Sequence, residues 1–546
     1  MDAFFENLQG ESPVLQLIGR WGYKLYEGKD TLQMSLHLLL AALFPIYIGS
    51  HASLRRPPSA RVPEKGLSQR EDEDEDDELD AEATVEGLTP SDAIMFPILA
   101  GCTLGVLYFI IKWLEDPALL NKLLGYYFSV LGVFGIGKLI GDGLNVGTTF
   151  IFPNVWSSGN QAYHVDPLFS QQVTGDVKPS RVQVHRKFVD DKMNPLPGYL
   201  STLKFSEKNT KRLWAVRALF KDHWIFRGYC HGIFSAKSKV QLNDAIGLVI
   251  GLAAIVLYNL TGKAWFLTNL MGFGFCYGTL QLLSPTTFWT GTLVLAGLFV
   301  YDIVMVFYTP MMVTVATKLD VPIKLVIPGK QGGMLGLGDI VLPGIMIALA
   351  LRYDLYLHYL RKRTSTTPIS LKPTSVSSFE PKIIKATYIP ATGDWGERFW
   401  TSSAVADGSK LGGRFPKVYF YASIIGYIVG MSVTMIVLRI YNHAQPALLY
   451  LVPGVLIALW GTATARGEVG MMWRYTEDGS LDDNDQEDKK KEEAQNGGEK
   501  EKEKESKTES KESLAKTDEH SHHVFLFSLS APKPTSEPKK ALLFGK

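Results

Sequence analysis

The sequence predicts an all-α polytopic membrane protein of about nine transmembrane helices. Apolar runs of about 18 or more residues recur along the chain and alternate with segments dense in charge. A chain that is 46% hydrophobic therefore has a mean hydropathy of only +0.04. The runs lack the alternation of barrel strands, and inside a bilayer each must close its own backbone hydrogen bonds as a helix.

In chain order the spans are expected at 32–49, 93–113, 123–140, 245–260, 265–283, 288–308, 335–353, 416–438 and 445–464. The fourth and fifth are the weakest, because only "LTGKAW" separates them. Residues 1–31 mix Asp, Glu, Lys and Arg without an apolar stretch, so they are expected to be a lumenal N-terminal segment and not a cleavable signal peptide. Spans one to three occupy 32–140 and enclose an acidic cytosolic loop, 50–92, in which "EDEDEDDELD" (71–80) repels itself and favours disorder. Residues 141–244 form a cytosolic insertion long enough to fold by itself, and spans four to nine fall in 245–468 with a second cytosolic loop at 354–415. The tail, 469–546, becomes low-complexity Lys/Glu/Asp from about Tyr475 and is expected to be disordered.

Basic residues near span ends set the orientation. Arg55, Arg56 and Arg61 follow span one, Arg352, Arg361, Lys362 and Arg363 follow span seven, and Arg466 and Arg474 follow span nine. The opposite connections carry fewer: Lys122, Lys263, Arg439, Lys318, Lys324 and Lys330. This bias puts the N-terminus in the lumen and the C-terminal tail in the cytosol. A net charge of +1 gives no reason to expect nucleic acid.

Several motifs fail on inspection. "GIGKLIGDG" (135–143) lacks the Gly-Lys-Ser/Thr end of a phosphate loop and reads as a glycine-rich helix end. "DDNDQED" (482–488) lacks the central glycine of a calcium loop, and His522 and His523 read as plain polar residues. Cys102, Cys230 and Cys276 are too scattered for a disulfide framework or a zinc site. Asn259 opens a glycosylation sequon in a loop too short to favour its use.

Two carboxylates stand where a bilayer span should have none: Asp302 in "GLFVYDIVMVF" and Asp339 in "GLGDIVLPGIMIALAL". An ionised acid at that depth costs about 2.5–3.5 kcal/mol on the lenient insertion scale, so it marks function by default, against polar packing or a helix cap. Asp302 is about five residues before the end of span six and Asp339 about four after the start of span seven, which puts both within roughly 6–9 Å of one end of an antiparallel hairpin. Gly336 and Gly338 let the backbone beside Asp339 approach a neighbour or substrate. Two touching carboxyls share one proton, and one ionised acid beside one neutral acid can activate water and protonate a carbonyl, with no metal or organic cofactor. Span nine opens at the same membrane face with "QPALLYLVPG" (445–454). Pro446 there either breaks the helix to expose backbone groups or simply starts it. Likewise "VPIKLVIPG" (321–329) reads either as a short strand open to strand addition by substrate or as a linker.

These motifs carry a resemblance. "YD" (301–302), "GLGD" (336–339) and "QPALL" (445–449), in that order on suitable spans, resemble the three signatures of the GxGD intramembrane aspartyl proteases, and most closely the signal peptide peptidase family. The likeness runs from about 245 to 468 and makes that region the catalytic membrane core. It implies a presenilin-like fold, inverted in orientation relative to presenilin, with Asp302 and Asp339 catalytic. Tyr301, Gly336, Leu337, Gly338, Gln445, Pro446, Ala447 and Leu448 would bind substrate or support the site. It further implies an endoplasmic reticulum membrane location and transmembrane substrates such as remnant signal peptides or type II-oriented spans. Degradation machinery of that compartment and a homo-oligomer are the partners it suggests. Lys539 and Lys540 are not spaced as a dilysine retrieval signal. A proton-coupled transporter and a non-catalytic scaffold for membrane-protein degradation are the rival readings; the chain lacks the internal repeat expected of the former.

Overall fold

The computed structural model describes residues 29–61, 86–114, 117–159, 161–167, 170–174, 187–188, 192–230, 234–319, 321–328, 333–366, 382–393, 395–401, 412–441, 445–477 and 525–530. All nine expected segments are helical. They are α1 (Lys29–Ala52), α2 (Pro90–Leu114), α3 (Ala118–Ile151), α4 (Leu242–Leu260), α5 (Trp265–Leu282), α6 (Phe288–Ile303), α7 (Gly338–Arg361), α8 (Val418–Tyr441) and α9 (Leu448–Arg466). Among the described residues, eight helices are long and apolar enough to cross a membrane. The exception is α5, where Asn269, Gln281 and five glycines and threonines dilute the apolar run. The third span, expected to end at 140, continues to Ile151, because no proline or charge cluster interrupts it before Phe152.

Burial identifies the centre of the bundle. In α7, 89% of the apolar stretch is buried against protein, compared with 6–33% in the other seven spans. A helix apolar on all faces belongs inside, and α1, α5, α6, α8 and α9 surround this one. Small residues bring the neighbours close. A Cβ added at Gly247 of α4 would lie 2.4 Å from the Gly137 carbonyl of α3, and one at Gly426 of α8 would lie 2.3 Å from the Gly454 carbonyl of α9. The "GIGKLIGDG" run is therefore a mid-helix packing face, not a helix end.

Charged clusters tie the other end of the bundle. Arg352 of α7 and Arg55, just beyond α1, both pair with Glu477, which also accepts from Ser284. Beyond α9, Glu468 accepts from Tyr419 (2.7 Å), Arg361 (3.1 Å) and Arg466 (3.0 Å), joining α7, α8 and α9.

The insertion is folded. Strands β1 (Val155–Ser158), β2 (Gln161–Asp166), β3 (Gln171–Thr174) and β4 (Lys187–Phe188) form an antiparallel sheet over Trp156, Val165 and Trp214. A hairpin of β5 (Trp224–Cys230) and β6 (Phe234–Val240) then leads through Gln241 into α4.

The expectation of a disordered tail is corrected at two places. A short helix, Val469–Arg474, leads into the buried Tyr475 and Thr476, and the segment Phe525–Ser530 adds as a strand to β5. "FLFSLS" is a β-rich run with no charge, unlike the Lys/Glu stretches around it, and it finds an open strand edge. The segments holding 71–80, 482–488, His522, His523, Lys539 and Lys540 lie outside the described residues.

Near α7 the hairpin of β7 (Lys324–Ile327) and β8 (Gly333–Gly336) leads directly into the helix. Of the two readings of 321–329, the strand is the one observed. It also shifts the helix start. Paired backbone holds Gly336 extended, and Leu337 N–H bonds Ile323 O at 3.0 Å, so α7 begins only at Gly338. Asp339 is the second residue of the helix rather than the fourth inside it.

Candidate active site

Asp302 is placed by the last turn of α6, immediately before a π-helical turn, Val304–Tyr308. Such turns widen the helix and re-aim side chains. It is 3% exposed and its Oδ2 accepts the Leu448 backbone N–H at 3.1 Å. Leu448 is the first residue of α9, so this N–H has no partner within its own helix. The break before α9 thus puts a free helix-end donor on an intramembrane carboxylate.

Asp339 is half-buried in the first turn of α7, where the helix dipole favours an acid. Its carboxyl accepts the Gly336 N–H and lies within the electrostatic reach of Asp302. The two acids stand in the last turn of α6 and the first turn of α7, and these two packed helices can approach because Gly291 leaves room for Met346.

Other expected residues sort by what they touch. A Cβ at Gly336 would sit 3.3 Å from Asp339 Oδ2, whereas one at Gly338 would meet nothing within 4 Å. Leu337 packs where Gly272 of α5 leaves space. Tyr301 adjoins Asp302 but turns its ring edge towards Gly101 of α2. Pro446 is buried, Gln445 and Ala447 are half-buried, and the Pro446 and Ala447 carbonyls accept the N–H groups of Leu449 and Tyr450.

Three residues were not anticipated. Tyr427 of α8 is fully buried and donates its hydroxyl to the Asp339 backbone carbonyl at 3.3 Å. Asp354, the first residue of the expected loop 354–415, lies in α7 and accepts the N–H groups of Tyr419 (3.2 Å) and Phe420 (2.9 Å), which caps α8. Asn269 of α5 grips Val326 of β7 from both sides, donating to its carbonyl and accepting its N–H, each at 2.8 Å. A polar residue inside a span was the available signal for Asn269; nothing in the sequence marked Tyr427.

Asn269 changes the strand-addition reading. With Val326 turned outward and taken, ladder alternation points Met334 and Gly336 outward on the other side. Gly336 N–H serves Asp339, and Met334 is 60% exposed. The edge left for an extended peptide is that of β8, not β7.

A family model described as signal peptide peptidase matches residues 80–479. The signal peptide peptidase of Mus musculus is 30% identical over 455 residues, 82% of this chain and 83% of the relative. That of Homo sapiens is 30% identical over the same length and 84% of its own chain. A probable intramembrane protease of Saccharomyces cerevisiae is 26% identical over 412 residues, 71% of this chain and 60% of the relative. These matches favour neither a transporter nor a scaffold.

Proposed function

The chain belongs to the signal peptide peptidase family and is an intramembrane aspartic protease, and on that basis we propose that Asp302 and Asp339 are its catalytic carboxyls. The observation that carries the assignment is the Leu448 N–H on Asp302, because it joins the third motif to the acid pair. Asp354 is set aside as a catalytic group, since its two oxygens are committed to the start of α8.

The pair holds one proton. Its ionised member removes a proton from water, whose oxygen adds to the scissile carbonyl carbon while the other acid protonates the carbonyl oxygen. The tetrahedral diol then collapses: one hydroxyl returns its proton to the pair as the carbonyl re-forms, the C–N bond breaks, and the amide nitrogen takes a proton from the pair. An acid and an amine leave, and the dyad returns to its starting state.

Substrates are transmembrane helices reached within the bilayer. Remnant signal peptides and type II-oriented spans are the class we assign, with the unwound stretch laid along the open edge of β8 towards Asp339. The basic span ends support a lumenal N-terminus and a cytosolic tail, and membership of the signal peptide peptidase family supports an endoplasmic reticulum membrane. The folded insertion and charged tail would then face the cytosol, where degradation machinery or a second copy can bind.

Cleavage of a labelled signal peptide by the purified protein, compared with an Asp339→Ala variant, tests the function. Equal cleavage by both would overturn the assignment.

A further inference from the structure

The tail strand Phe525–Ser530 completes a three-stranded sheet with β5 and β6, and the register sorts its side chains by face. Trp224, Phe226, Val240, Phe525, Phe527 and Leu529 share one face, which has no charged residue among the described side chains. Arg227 and Lys239 fall on the other face. Across the strand boundary Phe226 and Phe527 meet with ring centroids 6.4 Å apart, so the apolar face is continuous.

The protein leaves this face largely open. Phe525, Phe527 and Leu529 are 66%, 62% and 60% exposed. Their strand is also an edge of the sheet among the described residues. An uncharged apolar edge strand left in water is an aggregation hazard, and an apolar patch of this kind marks an interaction surface.

Depth identifies the occupant. Only Gln241 separates the end of β6 from the start of α4. The 19 residues of α4 extend about 28 Å, against a hydrocarbon core of about 30 Å. That helix has no length to spare, so Val240, and Trp224 paired with it, stand at headgroup level. Tryptophan favours that level, and residues further along α4, such as Val249 and Leu252, are themselves exposed as lipid-facing positions.

We propose that this sheet face rests on the lipid bilayer, with its aromatic residues in the headgroup–acyl boundary and Arg227 and Lys239 on the water side. The tail is thereby fastened to the membrane beside α4. A partner protein fits less well, because it would have to displace the headgroups that already surround the α4 end of the sheet.

Photocrosslinking of the full chain in phosphatidylcholine vesicles tests this. p-Benzoylphenylalanine in place of Phe527 should give lipid adducts by mass spectrometry. The same probe in place of Ser528, on the opposite face, should give at least about fivefold fewer, since an interfacial element buries only its apolar side. If the probe unseats the tail strand, seen as lost hydrogen-exchange protection of residues 225–230, the probe in place of Phe226 reads the same face from β5. Equal lipid adducts from the two faces, or chain-to-chain products in place of lipid adducts from the apolar one, would overturn the proposal; the second result would make the face an interface between copies.

Discussion

Leu448 and Asp302 are 146 residues apart in sequence, yet the backbone N–H of the first donates to Oδ2 of the second at 3.1 Å. The bond exists because α9 starts at Leu448: in a continuous helix the same N–H would turn back to the carbonyl four residues earlier.

Pro446→Leu should therefore let the helix extend and withdraw this donor. Asp302 and Asp339 would remain but be misplaced, and cleavage should fall about tenfold or more, ~1.4 kcal/mol of lost transition-state stabilisation. Cleavage should fall while the protein keeps its melting temperature; normal cleavage would make the motif a plain helix start.

Asp302→Asn and Asp339→Asn each keep the shape of the carboxyl and remove the shared proton. Either should lower cleavage by more than about 100-fold without loss of expression. In the unmodified enzyme the rate should follow a bell in pH, and metal chelators should leave it unchanged. Substantial turnover by either single variant in detergent contradicts the pair.

The two glycines before Asp339 should differ. A methyl at Gly336 crowds Asp339 Oδ2, whereas one at Gly338 enters open space. Gly336→Ala is expected to cut activity several-fold more than Gly338→Ala, with both proteins folded. Assays of the two side by side check this, and equal effects would remove the steric account.

Substrate helices should need local weakness, because a closed helix hides its peptide bonds in internal hydrogen bonds. Gly, Ser, Asn or Pro near the cut should speed cleavage relative to an all-Leu span. A series of synthetic spans differing only in these residues measures it; equal rates would show that unwinding is not limiting.

Lys417 stands just before α8, buried beside His51, and burial followed by the Arg398 charge pushes its ammonium down to about 8 from its ordinary 10.5, with Asp354 opposing. The unfolded chain therefore binds this proton more tightly than the folded one. Below about pH 8 the penalty is complete, and stability should rise as pH increases from about 8 to 10.5. Lys417→Met should raise the melting temperature at pH 7 and flatten that rise. Thermal melts of both proteins across the window test it.

The sequence by itself determined the helices, the two acids and their order with the proline motif. Apolar runs of span length permit only helices in lipid, and a carboxyl group in such a run is conspicuous by its desolvation cost. These are local properties, readable from composition. Span limits were less legible: Asp354 looked like a loop residue and "FLFSLS" like part of a charged tail, because partners elsewhere in the chain decide whether a carboxylate is capped or a strand is paired. Only the tertiary structure decided that Leu448 reaches Asp302, that Tyr427 backs Asp339, and that Asn269 closes one edge of the β7–β8 hairpin and leaves the other open. Those contacts join residues 57 to 146 positions apart. A hydrogen bond depends on direction within a few ångströms, which packing of the helices sets and linear spacing does not.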